Sequence, residues 1–263
     1  MGVVFDLNDA KEYEQWLNSP GNRFFIDFRH KLLLDLLQPI PGKTVLDIGC
    51  GAGASLKPLI EAGLRATGLD PSPCMLDMAA KNLGKRVDLH RGVAEDLPFD
   101  DNSFNYASLI TTLEFVENPQ KALEEACRVA KDRIFIGVLN RYAIKGIRLR
   151  IKGIYTRTVF NRSCFFSIWE LQQMIHSLLG DVPATWRTAG HLPAVSGRFA
   201  NKFERFSLVQ RCPFGMFIGM VVTLVPRFTT QPLTLRYGAK RPTGEATGSL
   251  CANRENNIGS LSV

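Results

Sequence analysis

The sequence predicts an α/β fold in which a mostly parallel sheet is covered by helices on both faces. Two observations predict it. Between Lys43 and Leu139, short apolar runs rich in β-branched residues alternate strictly with segments of helical periodicity; such alternation makes neighbouring strands parallel and sends the crossovers over both faces. At the end of the first apolar run stands VLDIGCGAGAS, Val45 to Ser55, with glycines at alternate positions. Such a loop lets backbone approach a ligand where a side chain would block it.

From Asp9 to Leu37, apolar residues recur at helical spacing (Tyr13 and Trp16, then Phe25, Phe28, Leu32 and Leu36), interrupted by NSPGN. This predicts two helices ahead of the sheet. PIPG, Pro39 to Gly42, ends them, and Lys43 to Ile48 reads as a buried strand. A helix over Ala54 to Ala62 stops at Gly63, a strand covers Arg65 to Leu69, a helix Met75 to Asn82 and a strand Val87 to Arg91. Strand Phe104 to Ile110, helix Pro119 to Val129 and strand Arg133 to Leu139 complete the regular part. Further on, a helix is expected over Ile168 to Leu179, with strands at Ala184 to Thr188 and Phe214 to Leu224. The domain organisation expected is a helical cover (1–40), a main domain (41–228) with an insertion at about 141–166, and a tail (229–263). The tail, rich in Thr, Gly, Ser and Asn, has the composition of a disordered segment.

Composition bounds the rest. The chain has 263 residues, 45% hydrophobic and 22% charged, which suits one large domain with an insertion. The six cysteines are widely spaced with no CxxC pair, so they read as reduced thiols of a cytoplasmic protein and no metal site is expected. The first residues lack a basic and then apolar leader, and Asp6 stands where a myristoylation signal requires Ser or Thr. The most apolar run, Pro213 to Val225, is shorter than the roughly 18 residues a membrane span needs, and reads as a buried strand.

The net charge of +7 is local. No acid lies between Asp132 and Glu170, whereas Arg133, Arg141, Lys145, Arg148, Arg150, Lys152, Arg157 and Arg162 all do. Ile144, Ile147, Ile151 and Ile154 fall at helical spacing beside these charges, although IRLRIK also alternates as an edge strand would. A basic amphipathic segment at 141–162 could attract an anionic small molecule or lie on an anionic membrane. Nucleic acid ranks below both, since no RNA-binding module accompanies it.

Gly49, Gly51 and Ala54 satisfy GxGxx(G/A), and Asp70 follows about 20 residues on, so a nicotinamide dinucleotide is formally open. Asp47, two residues before the first glycine, tips the balance. A carboxylate there repels a pyrophosphate and suits a ligand with a cationic amino-acid end.

VLDIGCGAG, GLDPSPCMLDMA and AEDLPFDDNSFN, in this order and spacing, resemble the three cofactor motifs of class I S-adenosylmethionine-dependent methyltransferases, in the small-molecule, type 11-like branch. ALEEACRVAKDRIFIGVLN resembles the helix and fifth strand that follow. The resemblance runs from about Lys43 to Asn140. It implies a Rossmann-like, mostly parallel seven-stranded sheet whose last strand is antiparallel, with S-adenosylmethionine as cofactor and S-adenosylhomocysteine as product.

By that resemblance, backbone of Gly49, Cys50 and Gly51 approaches the methionine part of the cofactor and Asp47 orients its ammonium. Asp70 accepts both ribose hydroxyls, Pro71, Ser72 and Met75 pack beside the adenosine, and Ala94 and Glu95 lie at the adenine. The family commonly has Asp where this chain has Val93, and frequently Asp where it has Asn105.

Methyl transfer from a sulfonium is an in-line displacement, and positioning can suffice for it. The candidates for contact with the acceptor follow the fourth and fifth strands, in TTLEFVEN and NRY. Glu114 is the candidate catalytic base for a hydroxyl or amine acceptor. His90, His176 and His191 are isolated and read as structural; His30, in the helical cover, stands closer to the expected cofactor. A protein that binds the cofactor without transferring its methyl group is the reading from a different class.

Overall fold

The computed structural model describes residues 2–143, 164–190 and 207–224. The amphipathic stretch from Ile144 to Ile154, His191 and the tail at 229–263 lie outside them.

The chain opens with two helices, α1 (Leu7–Asn18) and α2 (Pro20–Leu37), so the expected break at NSPGN is confined to Ser19. Asp6 starts α1 with a capping box: its carboxylate accepts from the amides of Asn8 and Asp9 at 2.8 and 2.9 Å, and the Asp9 carboxylate accepts from the Asp6 amide. Pro20 opens α2 at the first helical position, where its missing N–H costs nothing.

Seven strands follow: β1 (Thr44–Ile48), β2 (Arg65–Asp70), β3 (Asp88–Arg91), β4 (Phe104–Ile110), β5 (Ala130–Leu139), β6 (Ala184–Ala189) and β7 (Phe217–Thr223). Between them run α3 (Leu56–Glu61), α4 (Pro73–Leu83), α5 (Pro119–Val129), α6 (Ile168–Leu179) and a short turn of helix, α7 (Ser207–Gln210). The sheet order is β3-β2-β1-β4-β5-β7-β6. β1 to β5 are mutually parallel, and β7 runs antiparallel to both β5 and β6. This is the Rossmann-like seven-stranded sheet, with its last strand reversed.

Two cores flank the sheet. On one face Leu123, Ala126 and Val129 of α5 and Ile168, Leu171 and Ile175 of α6 pack on Ile134, Ile136 and Ile218. On the other, Leu32, Leu33, Leu36 and Leu37 of α2 join Val45, Phe135, Phe217 and Val221, so α2 shares a core with the strands. Strand order reverses between β1 and β4, and the crevice between their carboxyl ends is where such sheets take ligands.

Among the elements whose bounds differ from expectation are β5 and the third helix. β5 starts at Ala130, directly after α5, because Ala130 pairs with Phe104 before a register irregularity ahead of Tyr106. The third helix is only Leu56–Glu61, since Gly51 and Gly53, at φ +53° and +83°, spend the preceding residues on a wide turn.

The basic run is partly absorbed by the fold. Arg133 donates to the Leu37 carbonyl at 2.8 Å, closing the end of α2, and Arg141 pairs with Glu170 at 2.6 Å and donates to the Phe165 carbonyl. No helix among the described residues is long and apolar enough to cross a membrane.

Candidate functional site

Four strand ends meet at the crevice. β1 delivers Gly49 to Gly51, β2 delivers Asp70, β4 is followed by Thr111 to Glu114, and β5 ends beside Glu114.

Gly49 and Gly51 are needed for different reasons. At Gly49, φ +70°, a Cβ would lie 2.5 Å from Thr112 Cγ2, so the strand ends are too close there for any side chain. At Gly51, φ +53°, a Cβ would meet only Tyr13 Cε1, at 4.0 Å. The space above that residue is open, as a ligand-facing loop requires. Cys50 between them is 4% exposed and turns its sulfur toward Gly68, where an added Cβ would lie 2.8 Å from it. Burial, and then the nearby Asp47 and Asp70 carboxylates, push the Cys50 thiol far up, so it stays protonated and only its backbone is available.

Asp70 is aimed by backbone amides: Gly51 N–H donates to Oδ2 and Ser72 N–H to Oδ1, both at 2.9 Å. Each oxygen keeps a lone pair for a further donor. Burial raises its pKa, against the pull of those two amides. Ser72, 1% exposed, is the N-cap of α4, accepting from Met75 N–H at 3.3 Å and donating to the Phe5 carbonyl at 2.7 Å. Met75, 3% exposed, lies with Ala10 and Ala52 against Phe5, Tyr13 and Leu17. The Pro71 carbonyl accepts from Arg91 Nε at 3.4 Å.

Asp47 is fully enclosed at the end of β1. The Ser55 hydroxyl donates to one of its oxygens and the Ser108 hydroxyl to the other, at 2.7 Å. Burial pushes it up to about 6, opposed by the two serine hydrogen bonds and then by Arg29. It therefore acts first as a pin joining β1, β4 and the glycine loop.

The third motif divides. Ala94 is buried in the core and Val93 is 40% exposed. The Glu95 carboxylate accepts from the amides of Glu117 and Asn118 at 2.9 and 3.3 Å, so its charge serves the chain entering α5. Asn105 ties β4 to its neighbours through Thr44 and Asp132.

Glu114 is the most distinctive group. It is 2% exposed, its Oε1 accepts from the Leu139 amide at 2.7 Å, and its Oε2 has no partner among the described residues. Burial raises it to about 7, against the Leu139 hydrogen bond, its own amide and Arg29. Near neutral pH it is poised between acid and base. Thr111, at φ +54°, turns the chain toward it; a β-branched residue in that region is strained and persists only where its surroundings impose it.

An aromatic roof closes the crevice. Ring contacts run from Phe115 through Phe5, Tyr13, Trp16 and Phe25 to Phe217, with centroid separations of 5.2 to 6.3 Å. The first residues are stitched in by Val3 N–H on the Phe115 carbonyl at 2.8 Å. His30 is pushed down to about 4 by burial and then by Arg29, so it is neutral at pH 7.

The structure thus gathers Asp47, Gly49, Gly51, Asp70 and Glu114 at one crevice. It gives the side chains of Ser72, Glu95 and Cys50 internal tasks. The residue the sequence reading passed over is Arg29: it sits one turn from Phe25 and Leu32, on the apolar stripe of α2, and a charge on that stripe was the signal. Among the described residues, no group of three or more His, Cys, Asp or Glu could hold a metal ion.

These residues fit a cofactor with a nucleoside and an amino-acid end: open space over Gly51, a carboxylate aimed by two amides for a diol, and an unpartnered buried oxygen at Glu114.

Comparison with known proteins agrees. A family described as "Methyltransferase domain" matches residues 46–135. The chain is 36% identical over 179 residues to an uncharacterised protein of Methanocaldococcus jannaschii, covering 66% of this chain and 80% of that protein. It is 40% identical over 105 residues to a demethylmenaquinone methyltransferase of Renibacterium salmoninarum, covering 38% of this chain and 42% of that enzyme's length. Among solved structures, an S-adenosylmethionine-dependent methyltransferase of Thermotoga maritima superposes with a TM-score of 0.61 at 25% identity, covering 82% of this chain and 96% of that one.

Proposed function

Because the chain belongs to the class I S-adenosylmethionine-dependent methyltransferases, we propose that it transfers the cofactor's methyl group to a small-molecule acceptor of anionic or amphiphilic character, by in-line displacement. The observation that carries this reading is Glu114, a fully buried carboxyl at the crevice with a free oxygen and a pKa raised to about 7.

Each group has a task in this reading. The backbone at Gly49 to Gly51 receives the methionine end, and Asp70 takes the ribose diol with the lone pairs its amide partners leave free. Asp47 holds β1 and the glycine loop in register, and its charge favours the ammonium. Pro71, Ser72 and Met75 form the wall beside the adenosine, and Ala94 with the Glu95 backbone the adenine end. When bound, the cofactor supplies an electrophilic methyl on sulfur, with a neutral thioether as leaving group.

Glu114 Oε2 takes the proton from an acceptor O–H or N–H as the new bond forms, which requires the ionised carboxylate. The buried surroundings keep the carboxylate unsolvated, so its basicity is not blunted by water. The aromatic roof excludes water and offers apolar contact to an acceptor. The relative named as a demethylmenaquinone methyltransferase supports an acceptor of amphiphilic kind. The basic run at 141–162 supports attraction of an anionic acceptor or of an anionic membrane surface that carries one, and the working place proposed is the cytoplasm.

The test has two stages. Calorimetry should show binding of S-adenosylhomocysteine and none of NADH; the reverse would refute the reading. Incubating the protein with labelled cofactor and fractionated extract should then yield a labelled small molecule together with S-adenosylhomocysteine. Binding without turnover on any extract would leave a cofactor-binding protein that has lost transfer.

A further inference from the structure

Arg29 is 4% exposed, and among the described residues it donates no hydrogen bond to any carboxylate or carbonyl; its Nε is buried without a partner. The other well-placed arginines behave differently. Arg128 serves Glu125, Asp101 and two carbonyls, Arg133 caps α2, and Arg141 holds Glu170 and Phe165. Among the described residues, the most deeply buried guanidinium is thus left without a hydrogen-bond partner.

Its surroundings hold it without satisfying it. The guanidinium carbon lies 5.9 Å from the Phe25 ring centroid and 5.5 Å from that of Phe217, and cation–π attraction fixes it there while leaving its N–H groups unspent. Asp47 and Glu114 both feel its charge, but among the described residues neither is hydrogen-bonded to it, and Glu114 keeps Oε2 free. Asp47 is held by Ser55 and Ser108, and Glu114 Oε1 by the Leu139 amide. A buried charge without hydrogen-bond partners is costly, and a ligand carboxylate would supply them. The planar fork of arginine matches a carboxylate with two parallel bonds.

We propose that Arg29 is the receptor of a carboxylate in the crevice: either the one on the amino-acid end of S-adenosylmethionine or one carried by the acceptor. The inference rests on the cofactor reading above, and it adds a binding residue from the helical cover, outside all the glycine-loop motifs. It also gives α2, which packs across β5, β6 and β7, a functional reason to carry a charge on its apolar stripe.

The test uses the full chain and three probes: S-adenosylhomocysteine; 5′-deoxy-5′-methylthioadenosine, which has the nucleoside but no amino-acid end; and benzoate added to the S-adenosylhomocysteine complex. Binding is compared between wild type and Arg29→Met. If the cofactor supplies the carboxylate, the variant binds S-adenosylhomocysteine about 10- to 100-fold more weakly and methylthioadenosine unchanged. If the acceptor supplies it, both nucleosides bind as before, while the saturation-transfer signal of benzoate seen with wild type disappears.

Equal loss of both nucleosides, or no change with any probe, overturns the proposal. Should Arg29→Met fail to fold, Arg29→Gln is read by the same criteria. A wild-type protein that binds neither nucleoside refutes the cofactor reading instead, and benzoate without nucleoside then decides Arg29 alone.

Discussion

Replacing Glu114 by Gln should make the protein gain stability relative to wild type as pH rises, while disabling it. The carboxyl is 2% exposed, and its pKa is raised from 4.5 to about 7, chiefly by burial. For an acid whose folded pKa lies above its unfolded one, the folded state binds more protons inside that window, so its contribution to stability falls as pH rises from about 4.5 through about 7. Each factor of ten in proton affinity is worth about 1.36 kcal/mol, so ionised Glu114 costs on the order of 3 kcal/mol over the whole window, most of it between pH 5 and pH 8.

Gln keeps an oxygen for the Leu139 amide and cannot ionise. The stability difference, variant minus wild type, should therefore grow by about 2 to 3 kcal/mol from pH 5 to pH 8 in urea titrations at each pH. How well the amide fits sets the offset between the two proteins and leaves this slope unchanged. Asp47, which titrates in the same sense, and His30, which titrates in the opposite one, are present in both proteins and cancel. Turnover of a hydroxyl or amine acceptor should fall about 10²- to 10⁴-fold, with S-adenosylhomocysteine affinity unchanged. Wild-type turnover should rise with pH through about 7, the pKa of the buried carboxyl. A difference in stability that is flat with pH would refute the buried, perturbed carboxyl; full turnover in the variant would refute its role as base.

Three further outcomes follow from the same geometry. Asp70→Ala removes a carboxylate held by the Gly51 and Ser72 amides, and S-adenosylhomocysteine binding should weaken by about 1.5 to 3 kcal/mol in calorimetry; an unchanged affinity would take Asp70 out of the site. Gly49→Ala places a Cβ 2.5 Å from Thr112 at φ +70°, and denaturant titration should show a loss of about 2 to 4 kcal/mol. Arg128→Met strands Glu125 and the carbonyls of Leu97 and Phe99 and should cost about 2 kcal/mol, whereas Lys121→Met, at an exposed pair with Glu124, should stay within about 0.5 kcal/mol by the same measurement.

The helical cover illustrates how local and long-range information divide. Its two helices were legible because the apolar spacing and the Ser-Pro break are local signals. That α2 lies across β5, β6 and β7 was not, because nothing in Phe25, Leu32 or Leu36 says which surface they bury against. Glu95 shows how a motif residue can carry a second, long-range task. Its place in the third motif suggested the adenine end, yet its carboxylate is spent on amides 22 and 23 residues further along. Ser72 likewise caps α4, a role its position before Pro73 fits as well as any contact with a ligand.

By itself the sequence determined the seven strands and their alternation with helices, the glycine turn after β1 and the acidic residues at the strand ends. Periodicity, turn chemistry and motif spacing are properties of neighbouring residues, so they survive reading along one dimension. Tertiary structure alone decided what each charge does. Among the described residues, it sealed Asp47 between two serines, left Glu114 with one oxygen free, and buried Arg29 between two aromatic rings without a hydrogen-bonded anion. Those outcomes depend on desolvation and on partners supplied by distant segments, and the energy of a buried charge is set by everything packed around it.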